Sequence, residues 1–173
     1  MCTALSAGLP PASSPRFRHN CAVHSQSGFQ LLELLLALAI IAVLATVAIP
    51  AYSQYRDRVN NATAASDINM IVQAIERFYT ENNNYPDTLG QVGMNSLKDP
   101  WEDPYQYLRI SGANIRGNGR LRKDRNLVPI NSDYDLYSMG KDGASVPPLT
   151  AAHSRDDIVR ANNGKFIGLA ADY

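Results

Sequence analysis

The chain has 173 residues with 16 basic and 16 acidic side chains, so its formal net charge is zero, and 45% of the residues are hydrophobic. A chain of this length and composition is sufficient for one modest globular domain and one membrane segment. Because positive charge is not in excess, the composition argues against nucleic acid as the main partner.

Residues 1–28 are rich in Ser, Pro and Ala and show no hydrophobic periodicity, which predicts a leader peptide that is removed. Both cysteines, Cys2 and Cys21, lie in this segment, so the processed chain would contain no disulfide. Two basic residues are lost with the leader, which leaves 14 basic and 16 acidic residues. A start at Val23 is an alternative that would give a short leader.

An almost unbroken apolar run begins at Phe29 and ends at Ile49, and only three of its 21 residues are polar. At about 1.5 Å per residue, a helix of this length is about 31 Å long and matches the hydrocarbon core of a bilayer, which is about 30 Å thick. We therefore predict a membrane-spanning and assembly helix over residues 29–50. Pro50 has no backbone donor, and we expect it to kink or locally unwind the helix.

Glu33 is a carboxylate inside this apolar run, where a charge costs about 2.5 to 3.5 kcal/mol near a helix centre. A cut between Gly28 and Phe29 would create an α-amino group that is largely protonated near neutral pH. Within one chain the two groups lie along the same axis and pair poorly, whereas two staggered copies bring them together. The pattern predicts a filament in which Glu33 accepts the amino terminus of a neighbour. The alternative is an ordinary signal anchor with an incidental Glu.

Beyond Pro50 the pattern becomes amphipathic, with apolar residues at steps of three and four. The periodic positions are Ile68, Ile71, Val72, Ile75, Phe78 and Tyr79. This pattern predicts that the helix continues through residues 51–81, until the run from Asn82 to Pro86 stops it. Half of the helix would then lie in lipid and half would pack on a domain.

Residues 82–173 are predicted to form a globular head. We expect a short helix or loop over residues 87–98 and strands over residues 105–110 and 134–139. Trp101 is most simply a core or lid aromatic. The predicted fold class is α+β: a long N-terminal helix, half transmembrane and half amphipathic, packs on a small antiparallel β-sheet domain that carries a C-terminal acidic loop.

A basic segment separates the two predicted strands. Residues 111–131 are rich in Gly, Asn and Arg, which favours a loop or loose hairpin. The basic residues between positions 109 and 125 are Arg109, Arg116, Arg120, Arg122, Lys123 and Arg125. We interpret the segment as a solvated surface loop; the alternative is an electrostatic contact with an acidic face of a neighbour or client.

The acidic loop spans residues 139–158 and contains three carboxylates, Asp142, Asp156 and Asp157. Carboxylates and free backbone carbonyls are the hard oxygen ligands of which calcium takes six to eight. The spacing differs from that of an EF-hand. Calcium binding is therefore one interpretation, and helix capping by Asp156 or Asp157 with a turn role for Asp142 is the other.

The amino-terminal pattern resembles the processing and assembly signature of the type IV pilin and type II secretion pseudopilin superfamily. The residues that carry this resemblance are Gly28, Phe29, Leu32, Glu33 and Pro50. The resemblance implies that a prepilin peptidase cuts after Gly28 and methylates the amine of Phe29, and that Glu33 neutralises this amine during assembly. Gln30 stands where Thr is more usual.

The second half of the chain resembles the major pseudopilin of type II secretion. The matching motifs are Asp99-Pro100-Trp101, Pro104-Tyr105, the run from Asp135 to Gly143 and Asp156-Asp157-Ile158. This resemblance implies a calcium loop with Asp142, Asp156 and Asp157 as side-chain ligands and Met139 as a carbonyl donor. The chain departs from the family in its basic segment, in the loop with Pro147 and Pro148 and in its last nine residues.

The resemblance implies a structural protein of a Gram-negative bacterium. The subunit would cross the inner membrane once, hold its head in the periplasm and assemble into a homo-oligomeric helical filament in the periplasm or at the cell surface. Its partners would be the prepilin peptidase, the inner-membrane assembly platform and motor, and minor pseudopilins. The leading function is a pseudopilus subunit for type II protein secretion.

Three other functions are weighed against this one. The first is a major or minor type IV pilin of a surface pilus, and the second is an adhesive, DNA-binding or conductive pilin, suggested by the basic segment and the helix aromatics. The third is a membrane-anchored periplasmic enzyme that uses His153, Ser154 and Asp156. No nucleophile elbow accompanies these three residues, so we expect no enzyme.

Overall fold

The computed structural model describes residues 31–115 and 117–173. The chain divides into two compact units, Met1–Val43 and Leu44–Tyr173. The predicted leader, the cut after Gly28 and the amine of Phe29 lie outside the described residues, so the processing site stays a prediction.

One long helix, α1, spans Leu31–Asn82. It is continuous through Pro50, so the local unwinding expected at this proline is not observed. The helix ends close to the predicted position because Asn83 adopts a left-handed conformation with φ of 50°. Its amide donates to the carbonyl of Tyr79 at 2.8 Å, which satisfies one of the last carbonyls of the helix.

The second half of α1 buries one narrow stripe. Ala64, Ile68, Ile71 and Ile75 are fully buried, and their spacing of four, three and four residues places them on one face. The three isoleucines are among the positions that the amphipathic pattern identified. Tyr79, four residues after Ile75, is partly exposed and stacks on Tyr85, with 4.5 Å between ring centroids.

The head contains a four-stranded antiparallel sheet with the order β1-β2-β3-β4. The strands are β1 Gln106–Arg109, β2 Tyr134–Ser138, β3 Ile158–Ala161 and β4 Phe166–Leu169. The predicted α+β fold, with one long helix packed on a small antiparallel sheet, is confirmed. β1 and β2 lie within the two predicted strands, whereas β3 and β4 were not predicted. Asn162, Asn163 and Gly164 turn the chain between β3 and β4, and all three have positive φ.

β3 is central and is buried on both faces. Ile158 packs on the same side as the helix stripe, together with Tyr134 and Leu136 of β2. Val159 points to the opposite side, as the two-residue period of a strand requires. There it packs in a second, smaller apolar cluster with Ile130, Leu149, Ala161 and Ala170. The segments before and after β2 therefore cover the outer face of the sheet.

We expect Ile71→Ala to lower the free energy of unfolding by about 3 kcal/mol, because it removes a fully buried side chain and leaves a cavity. The matched control is Met70→Ala at the adjacent position, where the side chain is 42% exposed and the change should stay within about 0.5 kcal/mol. Urea unfolding of both variants measures the difference. Equal losses would contradict the assignment of the buried stripe.

Candidate functional site

The first half of α1 presents an unusual apolar surface. The large apolar side chains between Leu31 and Ile49 are all more than half exposed. Among the described residues, α1 is the helix that is long and apolar enough to cross a membrane. Glu33 is an acidic residue in its first turn. This segment therefore needs a covering of lipid or of neighbouring apolar helices.

A hydrogen-bonded brace precedes the acidic loop. Asp99 is buried, and its Oδ1 accepts from the amides of Trp101 at 3.0 Å and Asp103 at 2.9 Å. Its Oδ2 accepts from the hydroxyl of Ser138 at 2.5 Å, and this hydroxyl oxygen accepts in turn from the amide of Gly140. Two sequence motifs that carried the family resemblance thus contact each other and hold the loop at its start.

The two ends of the acidic loop meet at Gly140. This glycine has φ of 69°, and a Cβ built on it would lie 2.2 Å from the backbone oxygen of Asp156. The carboxylate of Asp156 accepts from the amide of Asp142 at 3.0 Å. Glycine is required here both by the conformation and by the close approach of the backbone.

Asp142 is a surface carboxylate with local partners. Its Oδ1 accepts from the amide of Ala144 at 2.8 Å, and its Oδ2 lies 3.2 Å from Nδ1 of His153. These two contacts, the backbone amide first, hold the pKa of Asp142 below its usual range. The adjacent Lys141 pairs with Asp57 of α1 at 3.0 Å, which ties the loop to the helix. The turn role considered for Asp142 agrees with this geometry.

Asp157 is fully buried and faces a different part of the head. Its Oδ2 accepts from Nη2 of Arg122 at 2.5 Å and from the hydroxyl of Ser145 at 2.6 Å. Burial raises the pKa of Asp157, and the contacts with Ser145 and Arg122 oppose this shift. Within the described part of the chain, its Oδ1 is buried and has no hydrogen-bond partner.

The predicted calcium ligands do not fit the ion as they are arranged. Calcium takes six to eight oxygens. Asp142 and Asp156 lie next to each other, but three of their four carboxylate oxygens already take part in local hydrogen bonds. Asp157 is turned towards a guanidinium and could offer only its Oδ1. In residues 31–115 and 117–173, no three His, Cys, Asp or Glu side chains are grouped to hold a metal. Calcium binding, with Met139 as a carbonyl donor, stays a prediction.

The residues considered for a hydrolase do not form a triad. Ser154 is buried, and its hydroxyl donates to the carbonyl of Val146 at 2.7 Å and accepts from the amide of the same residue at 2.9 Å. His153 is exposed and contacts Asp142 rather than Ser154. The serine therefore serves to fix the loop around Val146 and is not presented as a nucleophile.

Two residues of this site were missed by the sequence analysis. Arg122 was assigned to a solvated loop, but it is 3% exposed and contacts Asp157. Asp99 was noted only as part of a motif, although it organises the loop. The available signal for Arg122 was the charge balance: a carboxylate next to an apolar strand such as β3 needs a counter-charge, and the basic segment holds five arginines and a lysine between positions 109 and 125, with one acidic residue among them.

Comparisons with known proteins agree on one family. The chain is 30% identical over 145 residues to type II secretion system core protein G of Klebsiella pneumoniae. This alignment covers 81% of this chain and 97% of the relative. It is 30% identical over 142 residues to the protein of the same name from Escherichia coli K12, covering 79% and 92%. No protein-family profile and no solved structure matches the chain.

A pilin also matches, over a shorter stretch. The type IV major pilin protein PilA of Myxococcus xanthus is 32% identical to this chain over 67 residues. This alignment covers 39% of this chain and 30% of the relative. An apolar helix with an early carboxylate, continued by a buried stripe under an antiparallel sheet, makes this chain a pilin-like protein. Within that class, the chain belongs to the family of type II secretion system core protein G, the major pseudopilins.

We expect Gly140→Ala to lower the free energy of unfolding by about 3 kcal/mol, because the added methyl group meets the backbone of Asp156 at a positive φ. Gly93→Ala is the matched control, since Gly93 has φ of 73° but no atom within 4 Å of the added Cβ. It should cost about 1 kcal/mol, the strain alone. Chemical unfolding of both variants separates crowding from strain, and equal losses would argue against the close approach.

Proposed function

We propose that this chain is a structural subunit of a periplasmic pseudopilus that serves type II protein secretion in a Gram-negative bacterium. The observation that carries the proposal is the exposed apolar first half of α1 with Glu33 in its first turn. Family membership supports the same function, since the relatives are core proteins of type II secretion systems.

The apolar surface has two coverings in this proposal. Before assembly, the segment from Leu31 to Ile49 lies in the inner membrane, where lipid covers its side chains. After assembly, the same surface packs against the equivalent helices of neighbouring subunits. Each transfer exchanges one apolar surrounding for another, so a subunit can leave the membrane without exposing this segment to water.

Glu33 supplies the register of the filament. A carboxylate in an apolar surrounding needs a positively charged partner. A prepilin peptidase that cuts after Gly28 creates such a partner, the protonated α-amino group of Phe29. Pairing between copies neutralises both groups and admits one axial offset between neighbours. The assembly platform, motor and minor pseudopilins are the partners in this process. The head is then on the periplasmic side of a single-pass protein.

A surface type IV pilus is the second candidate, favoured by the match to a major pilin. The two functions differ in their consequences for the cell. Deletion of the gene should abolish secretion of type II clients in the first case, whereas it should remove surface fibres and leave secretion intact in the second. The geometry of His153 and Ser154 gives no support to an enzyme.

We expect Glu33→Gln to be processed normally but to reduce filament assembly and client secretion at least tenfold, because the amide keeps the shape and removes the charge that pairs with the amine. Glu81→Gln, an exposed carboxylate near the end of α1, is the control and should assemble normally. Immunoblots report cleavage, and cross-linking reports assembly.

Filaments at the wild-type level in Glu33→Gln would overturn the pairing of Glu33 with the amine. Loss of cleavage in the same variant would place Glu33 in peptidase recognition instead.

A further inference from the structure

The basic segment 111–131 carries an internal cation. Arg122 is 3% exposed, and Leu121 beside it is also buried. Backbone hydrogen bonds connect Arg122 and Lys123 to two other segments of the head. The amide of Ile130 donates to the carbonyl of Arg122 at 3.1 Å, and the amide of Lys123 donates to the carbonyl of Pro147 at 3.0 Å. The segment is thus packed onto the head near the acidic loop.

The guanidinium of Arg122 joins three parts of the head. Its Nη2 donates to Asp157, the residue immediately before β3. Its Nη1 donates to the hydroxyl of Ser145 at 2.5 Å and to the carbonyl of Val146 at 2.9 Å, both in the acidic loop. Its Cζ lies over the ring of Tyr137 in β2, 4.2 Å from the ring centroid. One side chain therefore connects strand, loop and strand, as a bound cation would.

The charge of Asp157 makes this cation necessary. A carboxylate that is fully buried is unstable unless a positive charge compensates it. Among the described residues, Arg122 is the one that forms an ion pair with Asp157. A divalent cation at the remaining oxygen of Asp157 would have to approach this guanidinium, and the two positive groups would repel each other. The positive charge of Arg122 thus stands where a metal ion bound to Asp157 would place its own charge.

We propose that Arg122 replaces a bound metal ion in the acidic loop, so that the head folds and keeps this loop closed without calcium. The basic segment supplies the charge, and Ser145, in the acidic loop, supplies the second donor to Asp157. This inference concerns the stability of the subunit, so it stands or falls separately from the proposed filament function. If Arg122 replaces the metal ion, the free energy of unfolding of the subunit does not depend on the calcium concentration around the cell.

The test uses the full chain in detergent micelles, with unfolding followed by fluorescence of Trp101, the single tryptophan. Wild-type protein should melt at the same temperature, within about 1 °C, in 2 mM calcium and in excess EDTA. A rise of several degrees with calcium would overturn the proposal, because a metal that binds only the folded chain must stabilise it.

Arg122→Met should lower the melting temperature by about 10 °C in both solutions, because it strands a buried carboxylate. The matched control is Arg120→Met in the same segment, which is exposed and should change little. Adding Asp157→Asn to Arg122→Met should recover several degrees, since the stranded charge is removed. A double variant no better than the single one would mean that Arg122 acts through packing, which contradicts its role as a cation.

If Arg122→Met does not fold, Arg122→Lys keeps the proposal testable. Lysine retains the charge and loses the planar fork and the stacking on Tyr137. We expect a folded protein with a smaller loss of melting temperature and the same indifference to calcium. Calcium stabilisation of wild-type protein remains the result that would overturn the inference.

Discussion

The burial of one stripe of a long helix under a small sheet is the interaction on which the head depends. Ala64, Ile68, Ile71 and Ile75 have no solvent exposure, and they pack with Tyr134, Leu136 and Ile158 of the two central strands. Full burial of each isoleucine side chain contributes about 1.5 to 3 kcal/mol. The helix stripe supplies four of the nine buried residues in this core cluster.

Two buried arginines, one against each face of the sheet, have similar surroundings. Arg122 pairs with Asp157 and stacks on Tyr137, while Arg160 pairs with Asp133 and stacks on Tyr134, 4.0 Å from the ring centroid. In both cases a guanidinium lies between a carboxylate and an aromatic ring. Such pairs cost desolvation energy and are strongly destabilising when one partner is removed, so they specify which segments meet. They anchor the two long connections of the head, which have little regular structure of their own.

A filament subunit of this kind divides two tasks along one helix. The apolar first half stays exposed and supplies contacts to lipid or to other copies, whereas the second half is committed to its own head. Glu33 adds an electrostatic condition to the first task, because a charge in that surrounding needs a partner. In our proposal, Arg122 braces the acidic loop from within the chain, and the head then needs no external ion during assembly.

The sequence by itself determined the features that depend on local pattern. The apolar run, the lone Glu33, the amphipathic stripe and the strands near Gln106 and Tyr134 were all predicted, because helical and strand periodicities depend on neighbours in sequence. Only the tertiary structure decided the rest. β3 and β4 were not predicted because neither shows the alternation of buried and exposed positions that marks a half-buried strand. The pairing of Arg122 with Asp157 spans 35 residues, and no local pattern states which carboxylate a buried arginine will meet. Long-range charge pairing is decided by packing, which brings distant segments together only once the chain is folded.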